Sequence, residues 1–188
     1  GLTDLYVPAF AVSGSNLFAG TEGSGVFRST NNGSTWSPTA SLVNPYVFAL
    51  MVSGSDIYAG IDGSGVYRST NNGASWVSSG SGITNMRIFA LAAMGTNIFA
   101  GSLGSGVFRS SNNGSNWIAV NSGLPANLEV WSFSVLGSNL YICTGVGVYF
   151  STNNGTNWTS LGTGLNNLYT HSIVFSGQSI FVGTDANG

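Results

Sequence analysis

Short apolar runs alternate with clusters of Gly, Asn, Asp and Ser along this chain, and the alternation itself repeats. One unit contains Val47-Phe48-Ala49-Leu50-Met51-Val52, then Ile57-Tyr58-Ala59, then Val66-Tyr67-Arg68, then Trp76-Val77. Each run is rich in β-branched and aromatic residues and is bounded by turn formers, which predicts strands joined by tight turns. Nowhere does an apolar stripe at helical spacing extend far enough for a helix. The pattern therefore predicts four short strands per unit and no helix.

The repeat is anchored by an octet, Ser29-Thr30-Asn31-Asn32-Gly33-Ser34-Thr35-Trp36, which returns at 69–76, 110–117 and 151–158. The four tryptophans, Trp36, Trp76, Trp117 and Trp158, lie 40, 41 and 41 residues apart. A period of about 40–50 residues points to solenoids or propellers, and four strands in that length make a propeller blade. A lone four-stranded sheet cannot bury both faces, so the units must stack on one another. The expected fold is all-β: a β-propeller of four-stranded antiparallel blades in one repeat domain, 1–188. Its blades span about 2–41, 42–81, 82–122 and 123–163, with a half blade at 164–188.

Each octet is expected to turn the chain between the third and outermost strands. The first-position serines (Ser29, Ser69, Ser110, Ser151) can bond back to the turn. The third-position asparagines (Asn31, Asn71, Asn112, Asn153) can bond their own backbone and tolerate left-handed geometry. The glycines (Gly33, Gly73, Gly114, Gly155) supply positive φ, and the tryptophans are expected to fold back as buried wedges between blades.

The octet resembles the Asp-box, or bacterial neuraminidase repeat, Ser-x-Asp-x-Gly-x-x-Trp. Every copy matches at Ser, Gly and Trp, and every copy has Asn in place of Asp. The resemblance covers nearly the whole chain and implies the propeller fold. Similar boxes occur in sialidases, xyloglucan-cleaving glycoside hydrolases, sortilin-type receptors and a photosystem II assembly factor. In those families the box is mostly a folding element remote from the active site, so it implies no particular activity.

Composition narrows the function. Charged residues are 5% of the chain, against roughly a quarter in ordinary globular proteins, so Asn, Ser, Thr and Gly must carry solubility. Four arginines cannot build a phosphate-binding patch, which argues against nucleic acid. No run of about eighteen apolar residues is present, so no membrane span is expected. The single cysteine, Cys143, excludes an internal disulfide and reads as a small buried side chain. One His and one Cys make no metal constellation, and no glycine loop opens a helix to cradle a phosphate; no cofactor is expected. Asn32, Asn113, Asn154 and Asn157 fit the glycan-acceptor pattern, but the octet supplies the first three matches by itself.

Function, if it concentrates anywhere, belongs where the blades converge. The repeats align on Gly14, Gly54, Gly95, Gly137 and Gly177. Six residues earlier stand Pro8, Phe48, Phe89, Trp131 and His171; eight earlier stand Tyr6, Tyr46, Arg87, Glu129 and Tyr169. These positions vary while their flanks hardly do. They read either as ordinary lining of a central channel or as an aromatic platform for a sugar ring or a peptide. The candidate ligand-binding set is Tyr46, Phe48, Arg87, Phe89, Glu129, Trp131, Tyr169 and His171. Glu129 reads as the sole acid near the axis, without a partner, and His171 as a packing or bridging residue. Arg28, Arg68 and Arg109 share a third-strand place, too far apart to converge on one carboxylate, and are expected to pack on neighbouring tryptophans. Glu22 and Asp62 read as turn residues.

The preferred expectation is a non-catalytic binding or scaffold propeller, secreted or at a cell surface and bacterial in character, with a glycan or protein ligand. Two alternatives stand beside it: a purely architectural unit of a larger secreted assembly, and a fragment of an Asp-box glycoside hydrolase with Glu129 facing Asp62 or Asp185. The half blade is completed by further blades of a longer chain, by another copy closing the ring, or not at all.

Overall fold

A computed structural model describes the chain apart from residues 163, 164, 166–168, 178 and 186–188. Every described element is a strand. The first sheet holds β1 (Ala9–Ser13), β2 (Asn16–Gly20), β3 (Val26–Ser29) and β4 (Ser37–Pro38) in that order. The second holds β5 (Val47–Ser53), β6 (Asp56–Ile61), β7 (Gly65–Ser69) and β8 (Val77–Ser78). The third holds β9 (Ile88–Met94), β10 (Asn97–Ser102), β11 (Gly106–Ser110) and β12 (Ile118–Ala119). The fourth holds β13 (Val130–Leu136), β14 (Asn139–Thr144), β15 (Gly147–Ser151) and β16 (Thr159–Ser160). β17 (Thr170–Ser176) and β18 (Ser179–Thr184) pair alone as the half blade. All pairings are antiparallel.

The core lies between the sheets. Phe18 meets Val47 and Ile57 between the first two; Tyr58 meets Ile98 and Trp117 between the second and third; Phe99 meets Leu140 and Trp158 between the third and fourth. Successive residues of a strand point to opposite faces, so neighbours such as Ile57 and Tyr58 bury against different blades. That is why the strands are apolar in continuous runs rather than alternating. Each such side chain contributes about 1.5–3 kcal/mol of burial. The first strands lie side by side, β1 on β5, β5 on β9, β9 on β13 and β13 on β17, and so form the hub of the fan. At its two ends Phe10 and Val12 of β1, and Val174 and Phe181 of the half blade, are exposed.

The octets turn the chain between third and fourth strands, as expected. In the first, the Ser29 hydroxyl accepts the Gly33 amide at 2.9 Å and donates to Asn31 Oδ1 at 3.0 Å; Asn31 Oδ1 also accepts the Thr35 amide at 2.9 Å. The same serine and asparagine bonds recur in the other three copies. One assignment is corrected. The left-handed residue is not the third-position Asn but the fourth, with φ of 54–57° at Asn32, Asn72, Asn113 and Asn154. The third-position side chain is committed to hydrogen bonds, so the next residue makes the turn.

The tryptophans do not all become buried wedges either. Trp117 and Trp158 are buried, and their indole N–H groups donate to the carbonyls of Ser79 (2.6 Å) and Val120 (2.8 Å) in the preceding blade. Trp76 donates to the Thr39 hydroxyl at 3.2 Å and is half-buried. Trp36, with no described blade before it, rests edge-on against Phe10 of its own sheet.

Candidate functional site

Each of the later inner strands starts with a β-bulge. In β5, Val47 faces Ile61 while Ala49 faces Gly60, which leaves Phe48 as the extra residue. Phe89, Trp131 and His171 are the extra residues in β9, β13 and β17. A bulge bends its strand and re-aims the inserted side chain. Here four successive bulges aim four rings into one row. Phe48 stacks on Phe89 with centroids 4.3 Å apart, Phe89 meets Trp131 edge-on at 5.8 Å, and Trp131 meets His171 at 5.4 Å. Tyr169 closes on both Trp131 (5.8 Å) and His171 (5.4 Å). Pro8, Phe48, Phe89 and Trp131 line a groove of about 260 Å³ over the hub.

A second tier sits two residues upstream. The carbonyls of Tyr6, Tyr46, Arg87, Glu129 and Tyr169 accept the amides of Glu22, Asp62, Leu103, Gly145 and Asp185, at 3.0 to 3.4 Å. These bonds tie the loop before each inner strand to the turn between second and third strands, so both lie on one face. Their side chains pair across it. Arg87 Nε lies 2.8 Å from Asp62 Oδ1, which holds the guanidinium's pKa above its ordinary value. The Tyr169 hydroxyl donates to Glu129 Oε2 at 2.9 Å. Burial first, and then this bond to a carboxylate, raises the Tyr169 pKa. His171 Nε2 lies 2.6 Å from Asp185 Oδ1.

This arrangement overturns the expectation of a lone, unpartnered Glu129. Asp62 and Asp185 share its face, Tyr169 bonds it, and it also reinforces the charge on Arg87. Asp62 is therefore more than a turn residue. Arg87 lies over the Phe89 ring, 5.8 Å from its centroid. Tyr46 contributes mainly backbone: it bridges Glu22 of the preceding blade and leaves its ring exposed. Trp131 adds a further feature, because its indole Nε1 is buried and bonds to none of the described residues. The bulges, which give the row its direction, left no mark that the repeat alignment could isolate from ordinary strand sequence.

The remaining candidates fall elsewhere. Arg28 and Arg109 donate to the carbonyls of Asn72 and Asn154 in the next blade, and Arg68 pairs with Asp56. They bridge polar groups instead of packing on tryptophan. Cys143 is buried, and burial pushes its thiol pKa up. Among the described residues no group of His, Cys, Asp and Glu could hold a metal ion, and no helix is long and apolar enough to cross a membrane.

No protein-family model matches the chain, and no curated protein matches it. Solved structures do. An ancestral GH74 enzyme is 26% identical with a TM-score of 0.83, covering 95% of this chain and 27% of its own. The fold is that of a β-propeller. The extracellular domain of a hybrid two-component system from B. thetaiotaomicron is 16% identical with a TM-score of 0.78, covering 95% of this chain and 26% of its own. YCF48 bound to D1 peptide is 15% identical with a TM-score of 0.65, covering 94% of this chain and 60% of its own. The chain thus spans about a quarter of the first two proteins and 60% of the third.

Proposed function

We propose that this propeller chain is a non-catalytic binding module, secreted or held at a bacterial cell surface, that lays a glycan chain or a peptide segment along the axial groove. The observation that carries this reading is the unbroken row Phe48, Phe89, Trp131 and His171, presented by bulges at the hub. Aromatic faces offer large, rigid contact area at low entropic cost. The Trp131 N–H, buried and bonded to none of the described residues, adds a donor still to be satisfied. The octets act in this reading as Asp-box-type folding elements with Asn for Asp, and residues 1–188 as one repeat domain. An extracellular domain and a peptide-bound protein are among the similar folds, which is consistent with the setting and with a protein ligand.

A second reading is favoured by one observation. Glu129, bonded by Tyr169, shares its face with two other carboxylates: Asp62, paired with Arg87, and Asp185, paired with His171. A glycosidase needs two carboxyl groups across a cleft, and a GH74 enzyme shares the fold. Glycan and peptide arrays probed with the chain, and with a Trp131→Ala variant whose folding is checked by circular dichroism, test the first reading. Ligand capture that the variant loses supports it; silence on both arrays ends it. Hydrolysis of xyloglucan or sialosides, lost in Glu129→Gln, would replace it with the second.

A further inference from the structure

Charge is scarce in this chain, and the blades sort it by sign. Asp62, Glu129 and Asp185 lie on the axial face with Arg87. Glu22 joins them, because its amide donates to the Tyr6 carbonyl in the turn equivalent to that of Asp62. So does Asp4: its Oδ1 accepts the Tyr6 amide at 3.0 Å, and a β-carbon on Gly23 would lie 3.3 Å from its Oδ2. The axial face therefore holds five carboxylates against one arginine, a formal −4 with His171 neutral. The octet side has the reverse balance. Arg28 and Arg109 reach octet carbonyls, and Arg68 pairs with Asp56 beside the turn from β5 to β6, at the same end of the blade as the octet. Three arginines against one carboxylate make a formal +2, which completes the −2 of the whole chain.

Arg87 shows what the axial face does with a guanidinium. Its Nε donates to Asp62 Oδ1 at 2.8 Å while its Cζ lies 5.8 Å from the centre of the Phe89 ring. A planar guanidinium can do both at once, bonding a carboxylate through its N–H groups and stacking on a ring. One blade further on the ring is Trp131, and tryptophan is the best aromatic face for a cation. The residue two positions before it is Glu129 instead of an arginine. Tyr169 gives Glu129 Oε2 a hydrogen bond without a positive charge, and a carboxylate accepts several such bonds. Asp185 stands beside His171, the next ring of the row. The ring and the carboxylates repeat there; the arginine does not.

We propose, resting on the reading of the axial groove as a binding site, that its ligand is an arginine-bearing peptide segment. A ligand guanidinium lies on Trp131 and is held by Glu129 and Asp185, as Arg87 lies on Phe89 and is held by Asp62. The negative face draws such a segment in and turns acidic chains away, sialosides among them. A peptide fits better than an amino sugar, because an ammonium is a point charge without the flat face that stacks.

Fluorescence anisotropy of a labelled, end-capped glycine–arginine peptide tests this. Its counterparts carry citrulline, which keeps the shape without the charge, or glutamate. The arginine peptide should bind at least about tenfold more tightly than either, the combined scale of one ion pair and one cation–π contact. Its affinity should fall as added salt screens the charges. Glu129→Gln keeps an acceptor for Tyr169 and should weaken binding about fivefold, the scale of one exposed ion pair. Asp56→Asn removes a carboxylate from the opposite face and should leave binding unchanged; equal losses in the two variants would reduce the effect to net charge and overturn the assignment. Equal binding of the citrulline peptide, or tighter binding of a chitosan oligomer, would also overturn it, yet would leave the groove reading standing where Trp131→Ala abolishes that binding. Arginine-peptide binding that survives Trp131→Ala would overturn both. Failure of the arginine peptide to bind at all would overturn the assignment, and the arrays then decide the groove reading separately.

Discussion

The Tyr58 hydroxyl donates to the main-chain carbonyl of Asn113, 3.2 Å away in the next blade. In the first and third blades the equivalent carbonyl is served by Arg28 and Arg109. The second blade also has an arginine at that place, but Asp56 draws Arg68 back, with Nε 2.9 Å from Oδ2. Asp56 stands where the other two have Asn16 and Asn97, and Tyr58 where they have Phe18 and Phe99. One change withdraws the arginine and the other replaces its hydrogen bond. Tyr58→Phe should therefore cost about 1 kcal/mol, the usual worth of such a bond. In an Asp56→Asn background the freed Arg68 should take over, and the cost should shrink by about 0.5 kcal/mol or more. Urea unfolding of the four variants measures the coupling; strictly additive losses would refute the compensation.

This relationship also marks how far the sequence could be read. The fold was legible because Trp36, Trp76, Trp117 and Trp158 recur at a fixed spacing and because period and strand count both indicate a blade. The variable positions beside Phe48 and Trp131 were legible by the same alignment. The direction of those rings was not, because a bulge is a property of pairing between strands. Nor were the pairs Arg87 with Asp62, and Glu129 with Tyr169, since each joins neighbouring blades, 25 and 40 positions apart in the chain. Burial of Trp117 but not Trp76, each with a blade before it, depends on the neighbours each meets there, which a repeat motif does not encode.

The tryptophans accordingly predict a graded series. Trp117→Ala and Trp158→Ala remove buried side chains and their bonds to the preceding blade, so each should cost about 3–5 kcal/mol. Trp76→Ala and Trp36→Ala should each cost less, because neither is buried to the same extent. Equal losses across the four, read from denaturant midpoints, would mean that the wedge works within a blade and not between blades.

Gly123 tests the same seam from the backbone. A β-carbon there would lie 2.2 Å from the carbonyl oxygen of Trp158, and the residue already sits at φ 89°. Neither the carbonyl nor the conformation can yield without moving the fourth octet. Gly123→Ala should destabilise by more than about 2 kcal/mol. Gly137→Ala, at φ 61° but with open space around it, should cost only about 1 kcal/mol. Similar losses for both would show that the close approach at Gly123 is relieved by relaxation.

Alkaline pH should weaken the fold through Cys143. Burial raises the thiol's pKa in the folded chain, so the folded state keeps its proton longer than the unfolded state does. A group of this kind contributes stability fully below its unfolded pKa, about 8.5, and loses that contribution as pH rises toward the folded value. Tyr58, also raised by burial, adds a second loss that begins near its own unfolded value of about 10. The denaturant midpoint should therefore be flat through neutral pH and fall from mildly alkaline pH upward. Cys143→Ala should remove the first part of that fall while Tyr58 retains the second, and the comparison rests on slope, so the packing lost with the thiol does not disturb it. The same burial predicts that a thiol reagent reacts with native Cys143 only as fast as the chain opens, and at the full rate once urea is added. A pH-independent midpoint, or rapid labelling of the folded chain, would place the thiol in contact with solvent and remove it as the source of the alkaline loss.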